Sequence, residues 1–239
     1  MTKVLMVLTG SDTWTMKDGT PHPTGFWMEE FVRPHRTFTQ AGFDVSIATP
    51  QGRTPTLDPL SLSLDFNNND RAVVDELEAY MASLKSELEN TEVLADVDPA
   101  DYDVMFIVGG HGPMQDLAVD PDIGRLIGAF LGDESKTLAA VCHGPASFLS
   151  AHDADGNWLF KGRRLTGFSN EEETMATFAG NAPWLLEDRL RLAGAIYESG
   201  PAYQPRAVVD GNLVTGGQNY SAQAAADAVM QLLEDKVPA

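Results

Sequence analysis

The chain has 239 residues, 43% of them hydrophobic and 21% charged, enough apolar material for one full core in a single α/β domain spanning residues 1–239. A formal net charge of −19 repels phosphate backbones and argues against a nucleic-acid partner. No apolar run approaches the ~18 residues of a membrane span, and a single cysteine excludes an internal disulfide.

Residues 4–8 read as a first strand. This apolar run is too short for a signal peptide, so a cytoplasmic location is the expectation. Residues 29–41 carry a helical pattern, with Pro34 expected to bend it or to mark a second start. Gly42 ends that helix, and residues 43–48 form the next strand. Strand, helix and strand at this spacing predict a right-handed βαβ unit and a parallel sheet. A loop rich in Pro and Gly follows over residues 50–59. Asp70 is placed to cap a helix from 71 to about 88. Residues 102–108 form a strongly apolar strand that ends in Gly109-Gly110-His111-Gly112. A helix over 123–131 leads to a strand over 137–141, directly before Cys142. In the second half, 158–166 and 207–215 read as hairpin or edge strands, and 171–178, 184–193 and 222–233 as helices. The alternation predicts an α/β three-layer sandwich, a mostly parallel central sheet flanked by helices. Sites in such folds lie beyond the C-terminal ends of the strands.

Cys142 falls at that edge. Residues 137–141 are a buried strand, and a helix is expected to start at Pro145, where the missing N–H costs nothing. A sharp strand-to-helix turn holds one side chain up, as in a nucleophile elbow. The helix N-terminus beneath it is expected to favour thiolate over thiol. An isolated cysteine is more often a buried structural residue; the Cys142-His143-Gly144-Pro145 context favours the reactive reading. Gly109, Gly110 and His111 follow another strand, and backbone N–H groups there, with that of His143, form a candidate oxyanion hole. A plain turn is the simpler reading of those glycines. Glu29 and Glu30 sit beside Phe26, Trp27 and Phe31, and a carboxyl in apolar surroundings exchanges protons near neutrality. Both are also ordinary residues of a helix's first turn. The five histidines show no paired metal-ligand spacing, so no metal site is expected, and His35 and His152 read as surface residues.

The chain resembles the ThiJ/PfpI superfamily over residues 4 to about 233. The pieces that carry the likeness include Gly25-x4-Glu30-x3-Pro34, Gly109-Gly110-His111-Gly112-x3-Asp116, Ala140-Val141-Cys142-His143-Gly144-Pro145 and Leu165-Thr166-Gly167-Phe168-Ser169-Asn170-x-Glu172-Glu173. The last piece resembles the heat-shock chaperone-type branch, which includes glutathione-independent glyoxalase III enzymes. The resemblance implies a flavodoxin-like, class I glutamine amidotransferase-like fold and a homodimer. It implies Cys142 as nucleophile, His143 as elbow histidine and Glu30 rather than Glu29 as acidic partner. Oxyanion donors map to Gly110 and His143.

The implied reaction takes a small carbonyl substrate, methylglyoxal or another 2-oxoaldehyde, to a 2-hydroxy acid with no cofactor. Glu172 or Glu173 is a candidate to orient His143, although the Glu171–Glu173 run reads more simply as a solvated helix N-terminus. Residues 215–221 depart from the branch: a glycine is inserted, and Tyr220 stands where proline is usual. Alternatives are a holding chaperone with a redox-sensing cysteine and a cysteine peptidase or amidase. A glutamine amidotransferase needs a later histidine, and none follows His152.

Overall fold

The computed structural model describes residues 1–236. In chain order the elements are β1 (Lys3–Val7), β2 (Thr13–Thr15), β3 (Pro21–Pro23), α1 (Met28–Gln40), β4 (Asp44–Thr49), α2 (Arg71–Ser83), α3 (Lys85–Glu89), β5 (Glu92–Val93) and β6 (Val104–Ile107). They continue with α4 (Gly112–Gln115), α5 (Pro121–Leu131), β7 (Thr137–Val141), β8 (Arg164–Leu165), α6 (Asn170–Met175), α7 (Leu186–Ala193), β9 (Ile196–Tyr197), β10 (Ala207–Asp210), β11 (Leu213–Gly216) and α8 (Ala222–Asp235).

Seven strands form the central sheet in the order β10-β11-β7-β6-β1-β4-β5. All pairs are parallel except the β10–β11 hairpin at one edge. Strands β6 and β7 are buried at every position, as expected of a sheet covered on both faces. The β1–α1–β4 and β6–α5–β7 connections run in opposite directions along the sheet. Right-handed crossovers therefore put α1 on one face and α5 on the other, and α8 packs beside α1. The connections diverge between β1 and β6, and the crevice above that point is where an open α/β sheet takes its ligands. Among the described residues no helix is long and apolar enough to cross a membrane.

Several local expectations need correction. Helix α1 runs unbroken through Pro34, which only forfeits the N–H that would reach the Glu30 carbonyl. The helix capped by Asp70 stops at Ser83 and resumes at Lys85. The Ser83 hydroxyl donates to the Tyr80 carbonyl there and competes with the helical ladder. Of residues 158–166, Trp158 makes only an isolated antiparallel bridge to His152, and the strand is confined to Arg164–Leu165, which pairs in parallel with β9. The segment after Cys142 is a 3₁₀ helix, Gly144–Ser150, rather than an α-helix. Its Ser147 hydroxyl donates to the Gly144 carbonyl.

His35 is buried, at 2% exposure, rather than on the surface. Its Nδ1 meets the Tyr80 hydroxyl at 2.9 Å, and Nε2 has no hydrogen-bond partner. Burial lowers its pKa to about 4. The unfolded chain binds a proton near pH 6.5 that the folded chain refuses until about pH 4. Stability is therefore complete above 6.5 and falls through that window. The effect is on the order of 3 kcal/mol for such a shift. In His35→Phe the melting temperature should fall less than in wild type between pH 6.5 and 4; thermal melts across that range check it.

Candidate active site

The strand β7 ends at Val141, and Cys142 takes φ +58°, a conformation that L residues rarely adopt outside tight turns. The elbow depends on small neighbours. A Cβ on Gly144 would lie 2.7 Å from the Ile107 carbonyl oxygen. The turn aims Cys142 into the crevice, where the residue is 4% exposed. Burial and then the charge of Glu30 push this thiol up, while the Gly110 N–H pulls it down. The expected thiolate at a helix N-terminus is thus not what forms. The 3₁₀ segment offers little dipole, and desolvation dominates.

Glu30 comes from the first turn of α1 and is fully buried. Its Oε2 accepts the Gly109 N–H at 2.9 Å. Burial raises its pKa to about 8, against the lowering effects of Cys142 and Gly109. Glu30 is therefore an uncharged acid at neutral pH, so its charge opposes a Cys142 thiolate only above about pH 8, while burial opposes the thiolate throughout. Thiol and carboxyl titrate as a coupled pair. Glu29, one residue earlier, has a different task. It takes the Arg33 guanidinium at 2.6 Å and the Asn219 amide at 3.1 Å.

Gly109 gives its N–H to Glu30, so it is not the oxyanion donor that the sequence allowed. It serves as a spacer. A Cβ there would lie 2.5 Å from Glu30 Oε2 and 2.8 Å from Cys142 Cβ. Gly109→Ala should lose at least about 10²-fold in activity and about 1–3 kcal/mol in stability through overpacking. Steady-state kinetics and denaturant melts check both. Among the described residues, the N–H groups of Gly110 and His143 donate to no backbone oxygen, and both residues line the cavity. Gly110 has φ +90°.

On the other side of the sulfur, His143 Nδ1 lies 3.3 Å from Sγ, so the ring faces the thiol although it is the next residue. Its Nε2 lies 2.7 Å from Glu173 Oε2. Glu173 is 2% exposed and Glu172 fully buried, so neither is a solvated residue of a helix start. Burial would raise Glu173, but His111 and His143 overcome it and hold the carboxyl well below its ordinary value. Burial, and then His111, lower His143. At neutral pH an ionised Glu173 takes the Nε2–H of a neutral His143, and Nδ1 is left as an acceptor toward the thiol. Glu172 is not an orienting acid for His143. It closes a capping box with Ser169 and faces Arg206 at 3.4 Å. The His111 ring lines the cavity, and its Nε2 lies 2.8 Å from Glu173 Oε1. His111, His143 and Glu173 bring three metal-ligating atoms within 4.8 Å, a grouping invisible in sequence spacing. The two hydrogen bonds just described already engage both rings and both carboxylate oxygens.

The sequence pattern of the DJ-1/PfpI family matches residues 23–232. The chain belongs to the DJ-1/PfpI family. Glyoxalase 3 of Candida albicans is 30% identical over 241 residues, covering 98% of this chain and 99% of that protein. The glutathione-independent glyoxalase HSP31 of Saccharomyces cerevisiae is 29% identical, with 94% of each chain covered. The crystal structure of glyoxalase III from Candida albicans superposes with a TM-score of 0.78 at 28% identity, covering 97% of both chains.

The cavity above Cys142 is tight, about 20 Å³, far below the usual volume of a drug-sized ligand site. Its walls are mostly apolar and include Trp27, Leu60, Phe66, Phe168, Phe178 and Tyr203. Sequence reasoning set Trp27 beside Glu30 and marked the 215–221 loop that holds Asn219, but it missed Leu60, Phe66, Phe168, Phe178 and Tyr203 as walls, because they come from segments far apart in the chain. The loop that departs from the usual pattern meets this wall. Asn219 lines the cavity, and the Tyr220 hydroxyl donates to the Phe66 carbonyl at 3.2 Å. Tyr220 thus ties the 64–66 segment over the mouth, a contact that a proline at this position could not make.

Proposed function

We propose that this DJ-1/PfpI protein is a glutathione-independent glyoxalase, a lyase-type enzyme that converts methylglyoxal or a similarly small 2-oxoaldehyde to the 2-hydroxy acid. The observation that carries the reading is one buried thiol set between Glu30 on one side and the His143–Glu173 pair on the other; burial pushes the Glu30 carboxyl up, and the two histidines hold Glu173 down. Environments that push two such groups apart assign the acid and the base.

The steps follow from those protonation states. Cys142 Sγ attacks the aldehyde carbon C1, and its proton passes to His143 Nδ1. The oxyanion forms toward the N–H groups of Gly110 and His143 and takes the Glu30 proton, giving a hemithioacetal. Glu30, now a carboxylate, removes the hydrogen on C1 while His143 returns its proton to the oxygen on C2; the product is an enediol. Glu30 delivers the hydrogen to C2 as the hydroxyl on C1 gives its proton to His143, which leaves a thioester on Cys142. Water adds its hydroxyl to the acyl carbon and its other proton to the sulfur. The proton on His143 returns to Glu30, and the hydroxy acid ionises as it leaves. Every step uses this chain's side chains and one water. A buried thiol in so small a cavity does not accommodate a polypeptide, which disfavours the peptidase alternative.

The adduct is directly testable. Incubation with methylglyoxal should block alkylation of Cys142, and the block should lift as the aldehyde is consumed. Alkylation that proceeds at the same rate with and without methylglyoxal would overturn the hemithioacetal step.

A further inference from the structure

We propose that His111 is a positioning residue of this active site: it holds the second oxygen of Glu173 so that the first stays aligned on His143. A carboxylate bound at one oxygen pivots about its own side-chain bonds. Glu173 is bound at both, by His111 Nε2 at 2.8 Å and by His143 Nε2 at 2.7 Å. The two imidazole rings lie side by side, with centroids 4.2 Å apart. Each presents one N–H to the same acceptor, an assignment that the hydrogen bonding makes.

His111 is itself immobilised. Its ring stacks on Trp14 at 4.6 Å and 13° and meets the edge of Phe178 at 4.9 Å. Trp14 is 1% exposed and lies on β2, so the β2–β3 hairpin serves as the backing for the ring. A buried carboxylate oxygen with no donor is costly, and His111 meets that need. It also faces His143 as a second ionisable ring. A charge on His111 opposes a charge on His143. The other titratable groups around the pair are Glu172 and Glu173 on α6, Cys142 and Glu30 across the cavity, His22 on the hairpin, and Tyr203 on the loop above.

Two substitutions separate the roles. His111→Phe keeps a ring for Trp14 and removes the donor. His111→Gln keeps an N–H at about the position of Nε2 and removes the ring. The kinetic arm rests on the glyoxalase reading. In His111→Phe, kcat with methylglyoxal should fall by about tenfold or more with KM nearly unchanged, and His111→Gln should recover most of that loss. In both variants the acid limb of the pH–rate profile should move to higher pH. The reactive His143 is neutral, and losing the opposing charge makes it easier to protonate.

The titration of His143 followed by 15N NMR reads the same shift with no substrate present. A wild-type protein without turnover therefore sinks the glyoxalase reading and leaves this test standing. The proposal is overturned if His111→Phe keeps wild-type kcat and an unmoved acid limb. It is equally overturned if Phe and Gln variants lose activity alike while the His143 titration stays in place, since His111 would then only support the turn.

Discussion

Cys142→Ser is expected to lose at least about 10³-fold in methylglyoxal turnover while its melting temperature stays within a few degrees of wild type. Oxygen replaces sulfur at the same backbone conformation, φ +58°, and the hydroxyl finds partners in the same His143 and Glu30 surroundings. What it lacks is nucleophilicity: a buried serine beside a neutral histidine attacks a carbonyl far less readily than a thiol in the same place. The loss should appear in kcat, and the variant should also fail to form the adduct on residue 142. Retention of more than a tenth of the wild-type rate would mean that the sulfur is not the attacking atom. Steady-state kinetics and thermal melts on the two proteins together decide it.

Glu30→Gln carries the second large effect, and its sign is opposite for activity and stability. Activity should fall by about 10²–10⁴-fold, the usual worth of a positioned acid–base group. Stability should rise at alkaline pH. The folded protein keeps a proton on Glu30 up to about pH 8, whereas the unfolded chain releases it near 4.5. The folded state therefore binds more protons between those values, and wild type loses stability as pH rises through that window. The amide introduced by the substitution has no proton to release and still offers an oxygen to the Gly109 N–H. The variant should gain steadily on wild type from pH 4.5 and level off above about 8. The gain there is on the order of 4 kcal/mol for such a shift. Denaturant melts at pH 5, 7 and 9 measure it. The same ionisation predicts that the wild-type rate declines above about pH 8, since the acid that protonates the oxyanion is lost. Equal stability of the two proteins at all three pH values would show that Glu30 is ionised throughout.

What could be read from sequence was mostly what is local. The β7–Cys142 turn needs only a buried strand, a small residue at 144 and a proline at 145, and all lie within ten residues. Pro145 suits the first turn of an α-helix and of a 3₁₀ helix equally, so the local sequence does not show whether an α-helix dipole lies beneath the thiol. The two wings of the site are harder. Glu171, Glu172 and Glu173 are all acceptable at a helix start. Which one turns inward depends on how a six-residue helix seats against the sheet, and six residues carry no readable periodicity. The structure separates them: Glu171 is exposed, Glu172 caps, and Glu173 meets both histidines. His111 looked like part of a glycine turn because its partners, Trp14 and Glu173, lie 97 residues before it and 62 after it in the chain. The Tyr220–Phe66 tie spans 154 residues and leaves no local signal at either end beyond the missing proline.

This chain is expected to turn a 2-oxoaldehyde into a 2-hydroxy acid by itself. Methylglyoxal loss and lactate formation followed in parallel, with reduced enzyme and no glutathione at pH 7, decide the matter. One lactate should form for each methylglyoxal lost over many turnovers, and none from Cys142→Ser or Glu30→Gln. Loss of methylglyoxal without lactate, or no loss with a demonstrably reduced Cys142, would contradict it.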